Sequence, residues 1–162
     1  METRYPILFG VRDPIIGNGF VAGVEASGRA LMREEAEGGF WVDGVYPGAV
    51  AAGGDSRDEA LLRFRESYRS VLYDLAAAAS SFEEFKADVE RFFWEETPGE
   101  GAAWLEAAAA LRANPAAAGD WLPLKTSYPE PAVTVVCLAM EDLQAEKNPD
   151  ERVELARLAD AA

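Results

Sequence analysis

The fold is decided by residues 34–61, EEAEGGFWVDGVYPGAVAAGGDSRDEAL. Gly38 and Gly39 turn the chain into an apolar run, residues 40–45, and a Pro-Gly segment follows that run. Ser56 then stands three residues before Glu59. This is the spacing of a capping box, in which each side chain accepts a hydrogen bond from the other residue's backbone N–H. The stretch therefore predicts strand, turn, strand, short strand and helix.

Apolar runs before this stretch predict further strands. Residues 5–11 form a first run that begins near Pro6, where a missing N–H is tolerated. Residues 20–26 and 29–35 form two more runs, and Ser27-Gly28 is predicted to be the tight turn between them. Short glycine-containing turns between consecutive strands predict an antiparallel meander.

Three helices are predicted after the meander. Residues 58–79 carry apolar side chains at three- and four-residue spacing, which suits a helix lying on a sheet. Ser81 and Glu84 repeat the capping-box spacing and open a second helix, whose aromatic face runs through Trp94 and which Thr97-Pro98-Gly99 ends. Residues 102–113 are predicted to form the third. We interpret the aromatic side chains as core and the charged ones as a solvated helix face.

The remaining chain is less regular. Four prolines interrupt residues 115–131, which predicts an ordered loop, and residues 132–138, AVTVVCL, are rich in β-branched side chains. The latter predict a strand, with a helix starting at Pro131 as the open alternative. Residues 140–147 are predicted to be helical, and Asn148 is predicted to cap a last helix near the end of the chain.

These elements predict an α+β protein. We expect a small antiparallel sheet of three to four strands, with residues 132–138 as one more, packed against helices. Residues 1–80 would form the core of meander and helix, and residues 81–162 a mostly helical extension packed on it. The two parts are expected to make one compact unit, since 162 residues with 49% hydrophobic side chains are enough for a single core.

Charge restricts the partners that this protein is expected to have. The chain holds 29 acidic and 15 basic residues, a formal charge of −14 that repels nucleic-acid phosphates and acidic membranes and attracts basic proteins. Residues 1–80 hold 12 acids and 8 bases, whereas residues 81–162 hold 17 acids and 7 bases. The second half therefore carries −10 of the −14, and a basic partner is expected to bind there.

The residues that usually carry enzyme chemistry are scarce. The chain has no histidine, which removes the usual general base and the commonest transition-metal ligand. Cys137 lies in an apolar run and is predicted to be a small buried hydrophobe. The candidates for a Mg²⁺ site are Glu34, Glu35, Glu37, Asp43, Asp55, Asp58 and Glu59. Their spacing gives little support, because solvated charges are common around a turn. We expect no enzyme and no cofactor, and we assign no catalytic, cofactor-binding, metal-binding or partner-binding residue.

The expected location follows from the single cysteine and from the lack of a recognisable secretory signal or bilayer-spanning stretch. A single cysteine excludes an internal disulfide framework, and the apolar run near the N-terminus is too short for a secretory signal. No stretch approaches the ~20 apolar residues that span a bilayer. A cytoplasmic protein without a membrane segment is therefore expected.

The opening stretch resembles the HicB family of antitoxins. In that family a Gly-Gly-aromatic-aromatic-Val strand is followed by Pro-Gly and then by Gly-Asp/Thr-Ser-x-x-Glu-Ala. The corresponding residues here are 38–42, 47–48 and 54–60, within a resemblance that covers residues 30–75. The resemblance implies a partial RNase H-like core and a protein that neutralises a toxin. The second half lacks the basic ribbon-helix-helix or helix-turn-helix pattern with which many members of the family bind DNA.

Three functions follow from these observations. The first is a HicB-like antitoxin that binds a basic partner, such as a small RNase toxin, by charge complementarity. The second is an orphan HicB-like domain that forms a homo-oligomer or binds a small ligand through its aromatic second half. The third is a Mg²⁺-dependent nuclease on the RNase H-like core, which would require Asp43 and Asp55.

Overall fold

A computed structural model describes residues 3–119 and 128–138 of the protein. The elements in chain order are β1 (Arg4–Ile16), β2 (Val21–Glu34), β3 (Phe40–Tyr46), β4 (Ala51–Gly54), α1 (Arg57–Ala78), α2 (Phe82–Trp94), α3 (Glu100–Ala113), a single turn of 3₁₀ helix (Pro115–Ala118) and β5 (Ala132–Leu138). The fold is α+β, as predicted. The predicted helices at 140–147 and beyond Asn148, and residues 120–127 of the predicted loop, lie outside the described residues.

The sheet is antiparallel and is built around β2. Strand β1 pairs with β2 along its whole length, from Arg4 opposite Arg33 to Ile16 opposite Val21. Two strands share the other edge of β2: β3 pairs with residues 29–34 and β5 pairs with residues 21–27. Strand β4 then extends the sheet beyond β3. Residues 132–138 are thus a strand, and the alternative of a helix starting at Pro131 is wrong.

The predicted tight turn at Ser27-Gly28 is also wrong, because both residues lie inside the continuous 14-residue strand β2. Gly28 has a long-range reason to be glycine. A Cβ atom at this position would overlap the carbonyl oxygen of Tyr46 and the ring of Phe9. The glycine therefore permits a close approach inside the sheet and does not turn the chain.

Helices cover both faces of the sheet. The larger core lies on the face that α1 and α2 cover, and its fully buried side chains include Val11, Val24, Met32, Val42, Phe64, Tyr68, Leu72, Phe85, Val89 and Phe93. Helix α3 contributes Trp104 and Ala108 to a second, smaller core, which also contains Leu31 and Val45. Leu31 lies between Ala30 and Met32, which belong to the larger core, so it points to the opposite face. The helices thus sandwich the sheet.

Ser56 and Ser81 cap their helices as predicted, but the reciprocal half of each capping box differs, because Glu59 and Glu84 accept from the N–H of the residue before the serine, Asp55 and Ser80. The backbone N–H of Glu59 donates to Ser56 Oγ at 3.1 Å, and Glu59 Oε2 accepts from the N–H of Asp55 at 2.7 Å. At the start of α2 the N–H of Glu84 donates to Ser81 Oγ at 3.1 Å. No helix in residues 3–119 and 128–138 is long and apolar enough to cross a membrane.

Candidate partner-binding site

A large excess of acid lies on α2, on α3 and between them. Residues 83–106 hold eight acids and two bases. Within this stretch, Lys86 and Arg91 pair with Glu90 and Asp88 of the same helix. Three other carboxylates, those of Glu83, Glu95 and Glu106, are exposed and have no ion-pair partner among the described residues. The solvent side of residues 83–106, which we call the acidic surface, is therefore locally acidic, although α2 and α3 cover opposite faces of the sheet.

The connection between α2 and α3 is held against the strands by backbone contacts. Helix α2 ends at Trp94, and the N–H of Gly48 donates to the carbonyl oxygen of Glu95 at 3.1 Å. A Cβ atom on Gly48 would lie 2.9 Å from that oxygen and 3.1 Å from the nitrogen of Thr97. Only glycine allows the β3–β4 loop to approach this closely. The peptide bond that precedes Pro47 in this loop is cis.

Glu96 joins three elements at this point. Its Oε2 atom accepts a hydrogen bond from the Tyr46 hydroxyl, and its Oε1 atom accepts one from the N–H of Gly101, both at 2.9 Å. Gly99, the residue at the N-cap of α3, supplies no side-chain cap. Glu96 therefore caps α3 and places its charge at the positive end of the helix. Burial, and then the hydrogen bond to Glu96, raise the pKa of Tyr46.

Trp94 presents an aromatic surface beside Glu95 and Glu96, which follow it in the chain. Its side chain is 49% exposed, although it follows the buried aromatic face of α2. The ring centroid lies 4.9 Å from that of Phe93 and 5.7 Å from that of Tyr46. The indole is thus supported on its inner side and open to solvent on the other. We call Tyr46, Trp94, Glu95 and Glu96 the α2–α3 corner.

A concave surface lies on the paired strands β1 and β2. This β1–β2 groove has a volume of about 270 Å³ and is lined by Leu8, Phe9, Gly10, Val11, Arg12, Glu25, Ala26, Ser27, Gly28 and Pro129. Its polar groups include Ser27 and the ion pair of Arg12 with Glu25, at 2.9 Å. The groove is mixed in character and has one ion pair in its lining.

Arg29 ties the approach to β5 onto the sheet. It is the one buried charged residue of the described chain, and its guanidinium lies 4.2 Å from the centroid of the Trp104 ring. Its Nη2 atom donates to the carbonyl oxygen of Pro129 at 3.1 Å. This cation–π contact and the hydrogen bond give Arg29 a structural role, because the hydrogen bond joins residues a hundred positions apart and the cation–π contact joins β2 to α3.

Several of the residues considered as Mg²⁺ ligands take part in separate local contacts. Asp43 accepts hydrogen bonds from Arg33 Nη1 at 2.8 Å and from Trp41 Nε1 at 2.9 Å. Glu59 caps α1 and pairs with Arg63 at 2.6 Å. Glu35 pairs with Arg33, and the other candidates, Glu34, Glu37, Asp55 and Asp58, have no ion pair among the described residues. Across the described ranges no three carboxylate or thiol side chains are grouped to hold a metal ion.

The prediction that Cys137 is buried is wrong. Its side chain is exposed, with a long contact of 3.9 Å from its sulfur to the carbonyl oxygen of Leu138. The apolar run suggested burial on both faces, but β5 pairs with β2 alone, and Val135 is its one fully covered residue. Cys137 lies near the end of an edge strand, where packing ends.

The sequence does not single out the α2–α3 corner. The sequence pattern places Trp94 on the aromatic face of α2, and Tyr46 directly after the predicted strand at residues 40–45. One signal was available, because Phe85, Val89 and Phe93 recur every four residues and are buried, whereas Trp94 is one position out of phase. The partnership of Tyr46 with Glu96 joins residues 50 positions apart and has no local signal.

Comparison of the chain with protein-family models, with curated proteins and with solved structures finds no match. The resemblance to HicB antitoxins therefore stays a prediction that rests on residues 30–75 alone.

Proposed function

We propose that this protein is a non-enzymatic binding protein that neutralises a basic protein partner, as a HicB-like antitoxin neutralises a small RNase toxin. The observation that carries the proposal is the acidic surface of α2 and α3, with eight acids and two bases in residues 83–106. Several of these carboxylates have no cation beside them within the described residues, so they remain available to a partner. A surface of this kind repels the phosphates of nucleic acids and attracts a cationic protein.

The residues that carry the family resemblance have roles in folding, and none of them is assigned to partner binding. Ser56 and Glu59 cap α1. A Cβ atom on Gly54 would lie 2.6 Å from the backbone nitrogen of Ala60, which explains a glycine at the entry to this helix. Because each of these residues has a sufficient folding role, partner recognition is assigned to the acidic surface outside the motif.

The test begins with the full chain, tagged and used to isolate its partner from cells that produce it. We expect a partner of net positive charge, and a dissociation constant that rises steeply as sodium chloride is raised from low to high concentration. A neutral or acidic partner, or an affinity that does not change with salt, would contradict the proposal.

A charge-matched pair of variants locates the effect. The double substitution Glu83→Gln and Glu106→Gln removes two charges from the acidic surface, and Glu34→Gln with Glu37→Gln removes two from the β2–β3 turn. We expect the first variant to associate more slowly with the basic partner, because nearby charge controls the rate of encounter. The second variant has the same net charge and should bind nearly as the unmodified protein does.

The β1–β2 groove favours a second candidate function, the binding of a small ligand. Its volume of about 270 Å³ is close to the lower end for ligand sites, and it has a serine hydroxyl and an ion pair in its lining. A ligand that raises the melting temperature of the protein, but not that of a Ser27→Leu variant in which the groove is filled, would support this function. If no compound that stabilises the protein loses its effect in that variant, the groove is not a binding site.

A further inference from the structure

We propose that the α2–α3 corner holds an arginine side chain of the basic partner, with the guanidinium stacked on Trp94 and flanked by the carboxylates of Glu95 and Glu96. This inference rests on the proposed function and specifies the residue type that the acidic surface recognises. It commits the interface to one occupant, a cationic protein that presents an exposed arginine.

The aromatic half of this contact is already in place. Trp94 is 49% exposed, and Phe93 and Tyr46 support its ring from the protein side. The protein uses the same contact internally, where Arg29 covers the ring of Trp104 at 4.2 Å. In the part of the chain that the structure describes, no cation lies over Trp94. Exposed tryptophan residues on a supported surface are frequent anchors of protein interfaces.

Of the two carboxylates at the corner, that of Glu96 is held by hydrogen bonds and that of Glu95 is free to turn. Glu96 is held by the Tyr46 hydroxyl and by the N–H of Gly101, so its charge is already positioned in the free protein. Each of its oxygens retains capacity for a further hydrogen bond. Glu95 is exposed and is free to turn toward a ligand. A planar guanidinium both stacks on indole and donates in a fork to carboxylates, whereas a lysine ammonium is a point charge. The corner is therefore expected to prefer arginine.

Tyr73 provides a matched control on the same molecule. Its side chain is 52% exposed, and Asp74 follows it on the outer side of α1. Within the described residues, however, no aromatic ring supports it and a single carboxylate accompanies it. The exposed fraction of the aromatic side chain is thus similar at the two places, while the supporting rings and the second carboxylate are present only at the corner.

The experiment uses two synthetic peptides, nona-arginine and nona-lysine, with the full-length protein at physiological salt. We expect nona-arginine to bind more tightly, and Trp94→Ala to weaken it by about fivefold, the loss of one exposed cation–π contact. The same substitution should change nona-lysine binding by less than about twofold, since lysine stacks less well on an aromatic ring. Tyr73→Ala should leave both affinities nearly unchanged.

A second pair of variants and a spectroscopic readout keep the test decisive. Glu95→Gln changes an exposed side chain and is expected to weaken nona-arginine more than Asp74→Asn does. Nuclear magnetic resonance of ¹⁵N-labelled protein should show the Trp94 indole N–H among the signals that move most on addition of nona-arginine. Equal effects of Trp94→Ala and Tyr73→Ala, or equal losses for both peptides, would overturn the inference and leave the proposed function standing. If neither peptide binds the unmodified protein, the proposed function itself fails.

Discussion

Replacing Tyr68 by phenylalanine is expected to stabilise the protein. Tyr68 is fully buried on α1, and its hydroxyl has no hydrogen-bond partner among the described residues. Its ring packs against those of Phe9 and Phe92, at centroid distances of 6.2 and 6.1 Å. A phenylalanine retains these ring contacts and removes only the hydroxyl group.

The magnitude follows from the hydration that the hydroxyl loses on folding. A buried polar group without a partner costs about 1–3 kcal/mol relative to the hydrated unfolded chain. Tyr68→Phe should therefore raise the free energy of unfolding by about that amount. For a chain of 162 residues this corresponds to about 2–4 °C in melting temperature for each kcal/mol.

The same substitution should change the response to alkaline pH. Burial raises the pKa of Tyr68 above its value in the unfolded chain. Below pH ~10 the group is neutral in both states, so its ionisation does not change the free energy of unfolding. Above that pH the unfolded chain loses the proton first, and stability falls by up to ~1.4 kcal/mol per pH unit until the folded state ionises as well. Tyr68→Phe lacks this loss, so its advantage should widen above pH ~10.

Urea unfolding and thermal melts, followed by circular dichroism at pH 7 and pH 11, measure both effects. The control is Tyr73→Phe, which removes a hydroxyl from a side chain that is 52% exposed and should leave stability within ~0.5 kcal/mol. A Tyr68→Phe variant that is less stable at pH 7 would refute the reasoning, because it would show that the hydroxyl is satisfied in the folded protein.

Three further outcomes are expected. Gly28→Ala should destabilise the protein by about 1–3 kcal/mol, because the added methyl group overlaps the Tyr46 carbonyl oxygen. Gly23→Ala should cost less, because the nearest atom to its methyl group would be 3.2 Å away. Urea unfolding of the two variants measures the difference. Ser56→Ala should cost ~1 kcal/mol in the same assay through loss of the N-cap of α1, and an unchanged midpoint would contradict the role of this cap. Cys137 should react with a thiol reagent in the native protein as fast as in urea, and strong protection would contradict its exposure.

Local chemistry in the sequence predicted the helices well. Ser56 and Ser81 form caps with residues three positions on, so the start of each helix depends on neighbours in the chain. The β-branched run at residues 132–138 likewise predicted a strand from its own composition. Class and element order therefore follow from short-range preferences.

The features that the sequence did not predict depend on distant partners. Gly28 resembles a turn residue until Tyr46 and Phe9 are known to approach it. Cys137 appears buried until β5 is known to lie at an edge of the sheet. The α2–α3 corner exists only because the β3–β4 loop meets the end of α2, and no spacing within either segment indicates that meeting.

The shared edge of β2 has a consequence for the order in which the chain acquires its structure. Residues 1–78 contain the meander and α1, so most of the sheet can form while the chain is still being synthesised. The N-terminal half of β2 must then wait for β5, which lies more than a hundred residues later in the chain. During that interval its backbone groups are an open template for strands of other nascent chains. Because β5 pairs late, chaperones or rapid synthesis of the later part of the chain should have their largest effect on the yield of folded protein at this step.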